Sequence, residues 1–416
     1  MIMQLAWRNL WRHPIRTLIT VIAIAVTNAL LIFMLGFQLG SYNSMKVQNL
    51  KVIDGFAQIQ QQDFQTHPTL RHSFSLDRNQ LAILYKMSKS ENLNFDYGFR
   101  TETFSIISNL ADTSHNASMI MGVAPSAEDN LSVLPNRIIQ GRYLYDKDQN
   151  KIVIGKQLAK KLKVTVGDQV QILGTDLQGS LAIDLFEIVG IFSMNITAMD
   201  QQLVQMPLIE FQRLYAMQNR IQKIVFVTPS IQQIEDIQTA VFANINHVSR
   251  ENIRWLSWQK LKPQLAQAIQ LDLNSSIVFY GFLVLIVLLI LGNTLYMSVV
   301  ERSNELSLLN ALGMRKKQLK NLVNLELSLM TFLGVILGGV TGILMTLYFV
   351  ENGIQLPGTE SLFSEYGLSG IIYPVLTWQS LLIIPFCFML AMIFLAILLG
   401  FKINKTHPLE ARRTRE

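Results

Sequence analysis

The residue types that carry out chemistry are few in this sequence and far apart. Four histidines, His67, His72, His115 and His247, lack the spacing that metal ligands need. The motifs G-x-S-x-G and H-E-x-x-H, which carry nucleophilic and zinc-dependent hydrolysis, do not occur. The single cysteine, Cys387, lies in an apolar run, so an intrachain disulfide and a thiolate metal cluster are both excluded. The sequence therefore predicts no enzyme active site.

The sequence also lacks the phosphate-binding motif of many ATP-binding proteins. The phosphate-binding motif G-x-x-x-x-G-K-[ST] does not occur, so the chain has no site of that kind for ATP. We expect no cofactor in this chain, and any ATP and Mg²⁺ must be bound by a partner.

Two groups of charged residues remain as functional candidates. One is a charged segment that follows a long apolar run, residues 301–321, in which apolar residues recur at helical spacing. Gly313 fits the position that ends a helix, and a second short helix follows from Met314. The segment therefore predicts a helix-turn-helix that docks in the groove of a partner or packs on the protein's own helices. The other candidate is Glu326, the one charge in its apolar stretch, which either serves function or pairs with the basic segment nearby.

The surrounding sequence is that of a membrane protein. Half of the 416 residues are hydrophobic and 15% are charged, where a soluble chain carries about 25%. Four apolar stretches reach the roughly 20 residues that a membrane-crossing helix needs. They are residues 17–40, 273–300, 322–350 and 376–401. The short segments before the first, between the second and third, and after the fourth are rich in Lys and Arg, which predicts that both termini are cytoplasmic.

The same rule predicts that residues 41–272 and the loop 351–375 lie on the outer side of the membrane. Residues 1–16 form an amphipathic elbow helix, either a simple anchor or a brace for a moving span, and residues 402–416 form a cytoplasmic tail. Residues 41–272 mix strand and helix patterns, such as strands over 99–107 and 223–228 and a helix over 76–89. The predicted fold is an α-helical membrane protein with four transmembrane helices and a large α+β domain between helices 1 and 2.

Several motifs together resemble those of the MacB/FtsX/LolE permease superfamily of ABC transporters. They are the opening segment 6–20, the stretches 141–144, 152–168 and 186–191, the segment 305–313, and the tail 408–413. In the segment 305–313, Ser307 and Asn310 stand where the family usually has glycine and arginine. The resemblance covers nearly the whole chain in the same order.

The resemblance implies a bacterial inner-membrane permease that works as a dimer with an identical or paralogous copy. A pair of cytoplasmic ABC ATPases would bind the coupling segment, defined here as residues 301–321. It also implies a discontinuous periplasmic domain, with one subdomain from 41–130 and 220–272 and another inserted over 131–219. The residues expected to contact the ATPase are Glu301, Glu305, Leu309, Ala311 and Gly313.

The resemblance leaves three functions to compare. The favoured function is release or export of lipoproteins or a related lipidic cargo. The acyl chains of such a cargo would need an apolar cavity facing the membrane. The residues expected to line that cavity are Phe33, Met34, Phe37, Ile277, Tyr280 and Leu283. Tripartite efflux of toxins or drugs and FtsX-like signalling to cell-wall hydrolases are the alternatives. A periplasmic carrier or adaptor and membrane lipids are the expected further partners, and nucleic acid is not.

Overall fold

The computed structural model describes residues 2–12, 14–90, 93–112, 114–242, 252–301, 308, 311, 313–355 and 371–403. The chain divides into two compact units. The membrane unit comprises residues 1–43, 269–355 and 371–416, and the periplasmic unit comprises residues 44–268 and 356–370. Predictions made for Glu305, Leu309, most of the loop 351–375 and the tail residues 404–416 lie outside the described residues.

A ten-stranded sheet forms the centre of the periplasmic unit. Its strands are β1 (Ala57–Gln61), β2 (Asp96–Asn109), β3 (His115–Val123), β4 (Ile138–Gly141), β5 (Lys151–Gly155), β6 (Gln169–Thr175), β7 (Leu181–Phe192), β8 (Leu203–Pro207), β9 (Lys223–Val227) and β10 (Ile253–Ser257). They run in the order β10-β1-β9-β2-β3-β8-β5-β7-β4, and β6 pairs with both β2 and β7. The pairs β3–β8 and β5–β7 are parallel and the others are antiparallel.

The strand order follows the chain segments. Strands β1, β2, β3, β9 and β10 come from residues 41–130 and 220–272, and they are neighbours at one end of the order. Strands β4 to β8 come from residues 131–219 and follow at the other end, joined to the first group through β3–β8 and β2–β6. One sheet thus runs through both segments, and their division into two subdomains stays a prediction.

Short helices pack on this sheet. Their bounds are Arg78–Ser88, Pro125–Leu131, Lys156–Leu162, Thr197–Gln202, Leu208–Leu214, Ile234–Ile237 and Trp258–Leu261. The first begins at Arg78 because the Asp77 carboxylate accepts from the Gln80 backbone N–H, and the Gln80 side chain accepts from the Asp77 N–H. The helix predicted at 76–89 and the strands predicted at 99–107 and 223–228 are confirmed, with ends shifted by a few residues. Strands β4 and β8 were not predicted because they are short and lack alternation.

The membrane unit is helical, with one short helix at the N-terminus followed by longer ones. These helices are the N-terminal helix (Ile2–Leu10), the first long helix (Pro14–Val52), the second (Pro263–Glu301), the third (Lys316–Asn352) and the C-terminal helix (Ile384–Ile403). Among the described residues, three of these helices are long and apolar enough to cross a membrane, by length and composition. The fourth predicted span coincides with a shorter apolar helix, Ser380–Phe394, so the count of four stays a prediction.

The long helices extend beyond the predicted spans. The first continues to Val52 rather than ending near residue 40, and the second begins at Pro263 rather than 273. Hydropathy marks the apolar part of a helix and says nothing of its polar continuation, such as Ser41 to Lys51. The short helix predicted after Met314 is likewise the first turns of the third long helix, which begins at Lys316.

A row of glycines lets the third long helix pack closely on the first. A Cβ at Gly338 would lie 2.3 Å from the Ala25 carbonyl oxygen, and one at Gly342 would lie 3.0 Å from the Ala29 Cα. A Cβ at Gly334, one turn earlier, would lie 2.6 Å from Cγ2 of the Ile24 side chain. Spacing of four residues puts these glycines on one face of the helix, and small residues are what allow membrane helices such close approach.

Candidate functional site

The N-terminal helix is joined to the third long helix by a hydrogen bond. The Asn9 side-chain amide donates to Glu326 Oε1 at 2.6 Å, and Glu326 is buried. Ala6 and Leu10 are buried as well, so one face of this short helix packs against protein. Glu326 therefore has a partner in the elbow helix, which the sequence did not suggest because 317 positions separate the two residues.

The coupling segment is described only in part. Glu301 is the last residue of the second long helix, and Ala311 and Gly313 are exposed. Gly313 has φ +98°, in the region that favours glycine, which agrees with its expected place just after a helix. An assignment of these residues to ATPase contact stays a prediction, and residues 302–307, 309, 310 and 312 of the segment lie outside the described part of the chain.

The residues expected to line an acyl cavity separate into two environments. Met34 and Ile277 are exposed on the surface of the membrane unit, and Ile277 has 71% of its surface accessible. Tyr280 and Leu283 instead pack against the apolar core that the long helices share. Phe33 and Phe37 stack with ring centroids 6.5 Å apart, and Phe33 also contacts Phe349. An acyl cavity lined by these six residues stays a prediction.

A polar cluster joins the first and second long helices near these residues. Tyr280 donates its hydroxyl hydrogen to Gln38 Oε1 at 2.9 Å, and the Gln38 amide donates to Ser276 and to Asp272. Tyr42 donates to the Asp272 carboxylate. Hydrogen bonds among several side chains fix the rotation and the register of two helices more tightly than apolar contacts do. No sequence pattern indicates this cluster, because its members lie on two segments whose paired residues are 230 or more positions apart.

A second set of contacts holds the same two helices within the periplasmic unit. Asp54, just past the end of the first long helix, pairs with Lys262 at 2.9 Å, and Pro263 then begins the second long helix. Arg100 on β2 donates to the Ile53 carbonyl oxygen and forms a buried two-bond ion pair with Glu128. The end of the first helix and the start of the second are therefore both attached to this unit by charged contacts.

The periplasmic sheet also exposes an apolar surface. Ile106 on β2 lies opposite Leu173 on β6, and Leu173 lies opposite Ile183 on β7, so the three side chains share a face. Phe104 and Leu181 extend that face and are 67% and 71% exposed. We call these five residues the apolar sheet face. Exposed apolar patches of this kind commonly mark interaction sites.

No group of three or more His, Cys, Asp or Glu side chains is arranged to hold a metal ion within the part of the chain that the structure describes. Tyr143, which donates its hydroxyl hydrogen to Gln205, has its pKa raised well above the ordinary value, chiefly because it is buried. Neither observation supplies a catalytic group.

Two family models match the chain. One is described as a MacB-like periplasmic core domain and matches residues 17–243. The other is described as an FtsX-like permease C-terminal domain and matches residues 277–408. The two matches follow one another along the chain and include most of the described long helices and every strand of the ten-stranded sheet except β10.

Curated relatives include subunits of one transport system. The lipoprotein-releasing system transmembrane protein LolC of Buchnera aphidicola is 25% identical over 240 residues, 55% of this chain and 57% of that protein. LolC of Haemophilus influenzae is 23% identical over 274 residues, 60% of this chain and 64% of that protein. An uncharacterised ABC transporter permease of Methanocaldococcus jannaschii is 26% identical over 216 residues, 50% of this chain and 51% of that protein. The chain thus spans between about half and two thirds of the length of these relatives.

The family models and the relatives agree on one kind of protein, a multi-pass membrane protein with a periplasmic domain. The match to the MacB-like periplasmic core domain alone covers more than half of the 416 residues. The chain therefore belongs to the family of ABC transporter permeases that combine a MacB-like periplasmic core domain with an FtsX-like permease domain.

Proposed function

We propose that this chain is the membrane subunit of an ABC transporter that releases lipoproteins from the inner membrane. Its similarity to LolC proteins favours this cargo over a toxin, a drug or a signal to cell-wall hydrolases. Energy comes from ATP and Mg²⁺ bound by a separate pair of cytoplasmic ATPases, since the chain has no phosphate-binding loop. The permease acts as a dimer with an identical or paralogous copy.

The observation that carries this proposal is the continuity of the first two long helices. Each has 39 residues and supplies residues to both the membrane unit and the periplasmic unit. At a rise of 1.5 Å per residue, each is about 58 Å long, well beyond the roughly 30 Å of hydrocarbon in a bilayer. A continuous helix of this length transmits a displacement of one end to the other.

The transmitted motion begins at the coupling segment. The second long helix ends at Glu301, where that segment starts, and the third begins at Lys316, shortly after Gly313. Closure of an ATPase pair on ATP supplies different contacts in the ATP-bound and free states, and only such a difference shifts a conformational equilibrium. The polar cluster of Gln38, Tyr42 and Asp272 makes the first helix follow the second.

The periplasmic unit receives the motion through charged attachments. Asp54–Lys262 and Arg100–Ile53 hold the ends of the two helices to the same unit, so the helix ends and the sheet move together. The apolar sheet face is then a surface for a periplasmic carrier or adaptor that itself exposes apolar groups. The released lipoprotein passes to that partner with its acyl chains shielded from water.

The experiment is purification of the chain together with its ATPase, followed by mass spectrometry of the lipoproteins and lipids that remain bound. We expect triacylated lipoproteins in the complex before ATP is added and their loss after it. Charge reversal across residues 301–317 should abolish association with the ATPase while membrane insertion is unchanged. Lys156→Glu, on an exposed helix of the periplasmic unit, is the matched control. Unaltered association of the loop variants, or an absence of lipoproteins from the wild-type complex, would contradict the proposal.

A further inference from the structure

A groove lies between the N-terminal helix and the third long helix, within the membrane unit. Its lining consists of Met3, Gln4, Trp7, Arg8 and Leu329. Three of these side chains, Met3, Trp7 and Leu329, offer apolar surface, and Arg8 brings a guanidinium group to the same groove. A ligand that fits it must combine an apolar part with an anionic part.

The N-terminal helix is held in the position that forms this groove. Ala6 and Leu10 are fully or almost fully buried, and Asn9 donates to the buried carboxylate of Glu326. Glu326 lies three positions before Leu329, and residues three apart on a helix are neighbours on its surface. The hydrogen bond therefore fixes the helix directly beside the residue that forms the opposite wall of the groove.

The residues around the groove have the character of a membrane–water interface. Trp7 and Trp11 are both exposed, with ring centroids 6.1 Å apart, and Ile15, Leu18 and Ile19 are exposed on the adjoining turns of the first long helix. Tryptophan is enriched at the level of lipid headgroups, and exposed Ile and Leu are enriched at the level of acyl chains. The groove therefore opens where headgroup and acyl chain meet.

Two basic side chains lie at or near the groove, Arg8 in its lining and Arg12 one turn further along the chain. Arg8 and Arg12 are exposed, one turn apart, and neither forms an ion pair among the residues that the structure describes. The Arg12 backbone N–H donates to the Asn9 carbonyl, so the chain turns back beside Arg8. Basic residues near a bilayer surface attract anionic lipids.

We infer that this groove binds an anionic phospholipid of the surrounding membrane. Arg8 and Arg12 contact the phosphate of the headgroup, and an acyl chain lies against Met3, Trp7 and Leu329. A free phosphate ion would gain nothing from the apolar wall, which is why a diacyl lipid is the better fit. Because Asn9 holds the helix to Glu326, the bound lipid braces the elbow helix against the third long helix. The inference does not depend on the identity of the transported cargo.

Native mass spectrometry of the full chain tests this inference. The chain is released from nanodiscs that contain equal amounts of phosphatidylglycerol and phosphatidylcholine, and the retained lipids are counted. We expect one tightly held phosphatidylglycerol per chain. The double variant Arg8→Gln/Arg12→Gln should lower its retention roughly 30-fold, since each basic side chain contributes about a fivefold preference. Lys317→Gln, which removes an exposed cation at the start of the third long helix, is the matched control and should retain the lipid.

Two further measurements test whether the lipid needs the position of the N-terminal helix and whether it needs its own acyl chains. Glu326→Gln keeps an oxygen that accepts from Asn9 and should retain the lipid, whereas Glu326→Ala releases the helix and should lose it. Addition of soluble glycerophosphoglycerol should not displace the lipid, because it lacks acyl chains. Equal retention of the two lipids, no effect of the double arginine variant, retention by Glu326→Ala, or displacement by the soluble headgroup would each overturn the inference. Arg8 and Arg12 are exposed, so we expect the double arginine variant to fold. It therefore still tests the inference if Glu326→Ala, which alters a buried residue, fails to fold.

Discussion

At the scale of single residues, a fully buried ion pair lies in the periplasmic unit. Arg100 Nε and Nη2 donate to the two carboxylate oxygens of Glu128 at 2.8 and 2.7 Å, and both side chains are buried. The paired geometry is what makes such charges tolerable inside a protein, because an unpaired buried charge has lost its hydration without compensation. The additional bond from Arg100 to the Ile53 carbonyl connects this pair to the end of the first long helix.

Removal of one partner from this pair should therefore destabilise the periplasmic unit strongly. We expect Arg100→Met to lower the free energy of unfolding by about 3–5 kcal/mol, because Glu128 is left charged and buried. The double variant Arg100→Met/Glu128→Leu should recover most of that loss. Urea unfolding followed by the fluorescence of Trp255 and Trp258, both in this unit, measures the difference. A double variant as unstable as the single one would show that the charges are not the cause.

A second ion pair of the periplasmic unit gives a dependence on pH. Partial burial alone would raise the pKa of Asp148, but hydrogen bonds from Arg142 and from the Tyr145 backbone N–H outweigh burial and lower the pKa below its ordinary value. A carboxylate with a lowered pKa in the folded state stabilises that state above the ordinary pKa. The stabilisation is lost as pH falls through the lowered pKa.

Replacement of Asp148 by Asn should therefore matter near neutral pH and less in acid. At pH 7 we expect Asp148→Asn to lower the free energy of unfolding by about 1–2 kcal/mol. Below about pH 4 the difference from wild type should shrink, because the wild-type carboxyl group also becomes neutral. Chemical unfolding at several pH values measures both differences. A difference that stayed constant from pH 7 to acid would rule out the charge as its origin.

Sequence reasoning identified candidate residues better than it identified their partners. Glu326 stood out as the one charge in an apolar stretch, and Gly313 as a residue that ends a helix. Glu326 accepts a hydrogen bond from Asn9, and no local pattern connects residues so far apart. The same limit explains why Gln38 and Asp272, or Arg100 and Glu128, could not be paired in advance.

At the scale of elements, the packing of the first and third long helices depends on the glycines of the third. Gly338 faces the backbone of Ala25 so closely that any side chain would force the helices apart. In a membrane, where lipid competes with protein for apolar surface, this close packing is a main source of helix association. The Asn28 side-chain amide adds a hydrogen bond to the Val335 carbonyl across the same interface, 3.0 Å long.

Substitution of this glycine should weaken the membrane unit. Gly338→Ala places a methyl group where the Ala25 carbonyl oxygen lies 2.3 Å away, and overpacking of this kind costs about 1–3 kcal/mol. Gly281→Ala, on the second long helix, meets no atom within 4 Å and is the matched control. Thermal unfolding in detergent should show a lower midpoint for the first variant and an unchanged or higher one for the second. Equal midpoints would contradict the packing described here.

Hydropathy located the long helices but did not determine where they end. The apolar runs after residues 17, 273 and 322 all lie within observed helices, because burial in lipid requires such runs. The polar extensions to Val52 and from Pro263 are held by contacts with distant residues, such as Asp54 with Lys262. Those contacts depend on the tertiary fold and leave no periodic pattern in the sequence.

At the scale of the whole molecule, single strands could be predicted from the sequence more readily than their arrangement. Several strands of the periplasmic unit were predicted individually from their residue pattern, but the short strands β4 and β8 were not. The order of the strands in one ten-stranded sheet could not be predicted, because β9 and β10 return to flank β1 after more than 160 residues. The membership of the chain in the permease family rests on the two matched domains together, in their order along the chain.

In the proposed function, this permease relays the work of a separate ATPase to its periplasmic unit. The most direct test reconstitutes the chain with the ATPase in proteoliposomes that carry a fluorescent triacylated lipoprotein, and measures release of that lipoprotein to a soluble acceptor. We predict release that requires both subunits and ATP, and none with the chain and ATP alone. ATP hydrolysis by the isolated chain, or release that proceeds without the ATPase, would contradict the account.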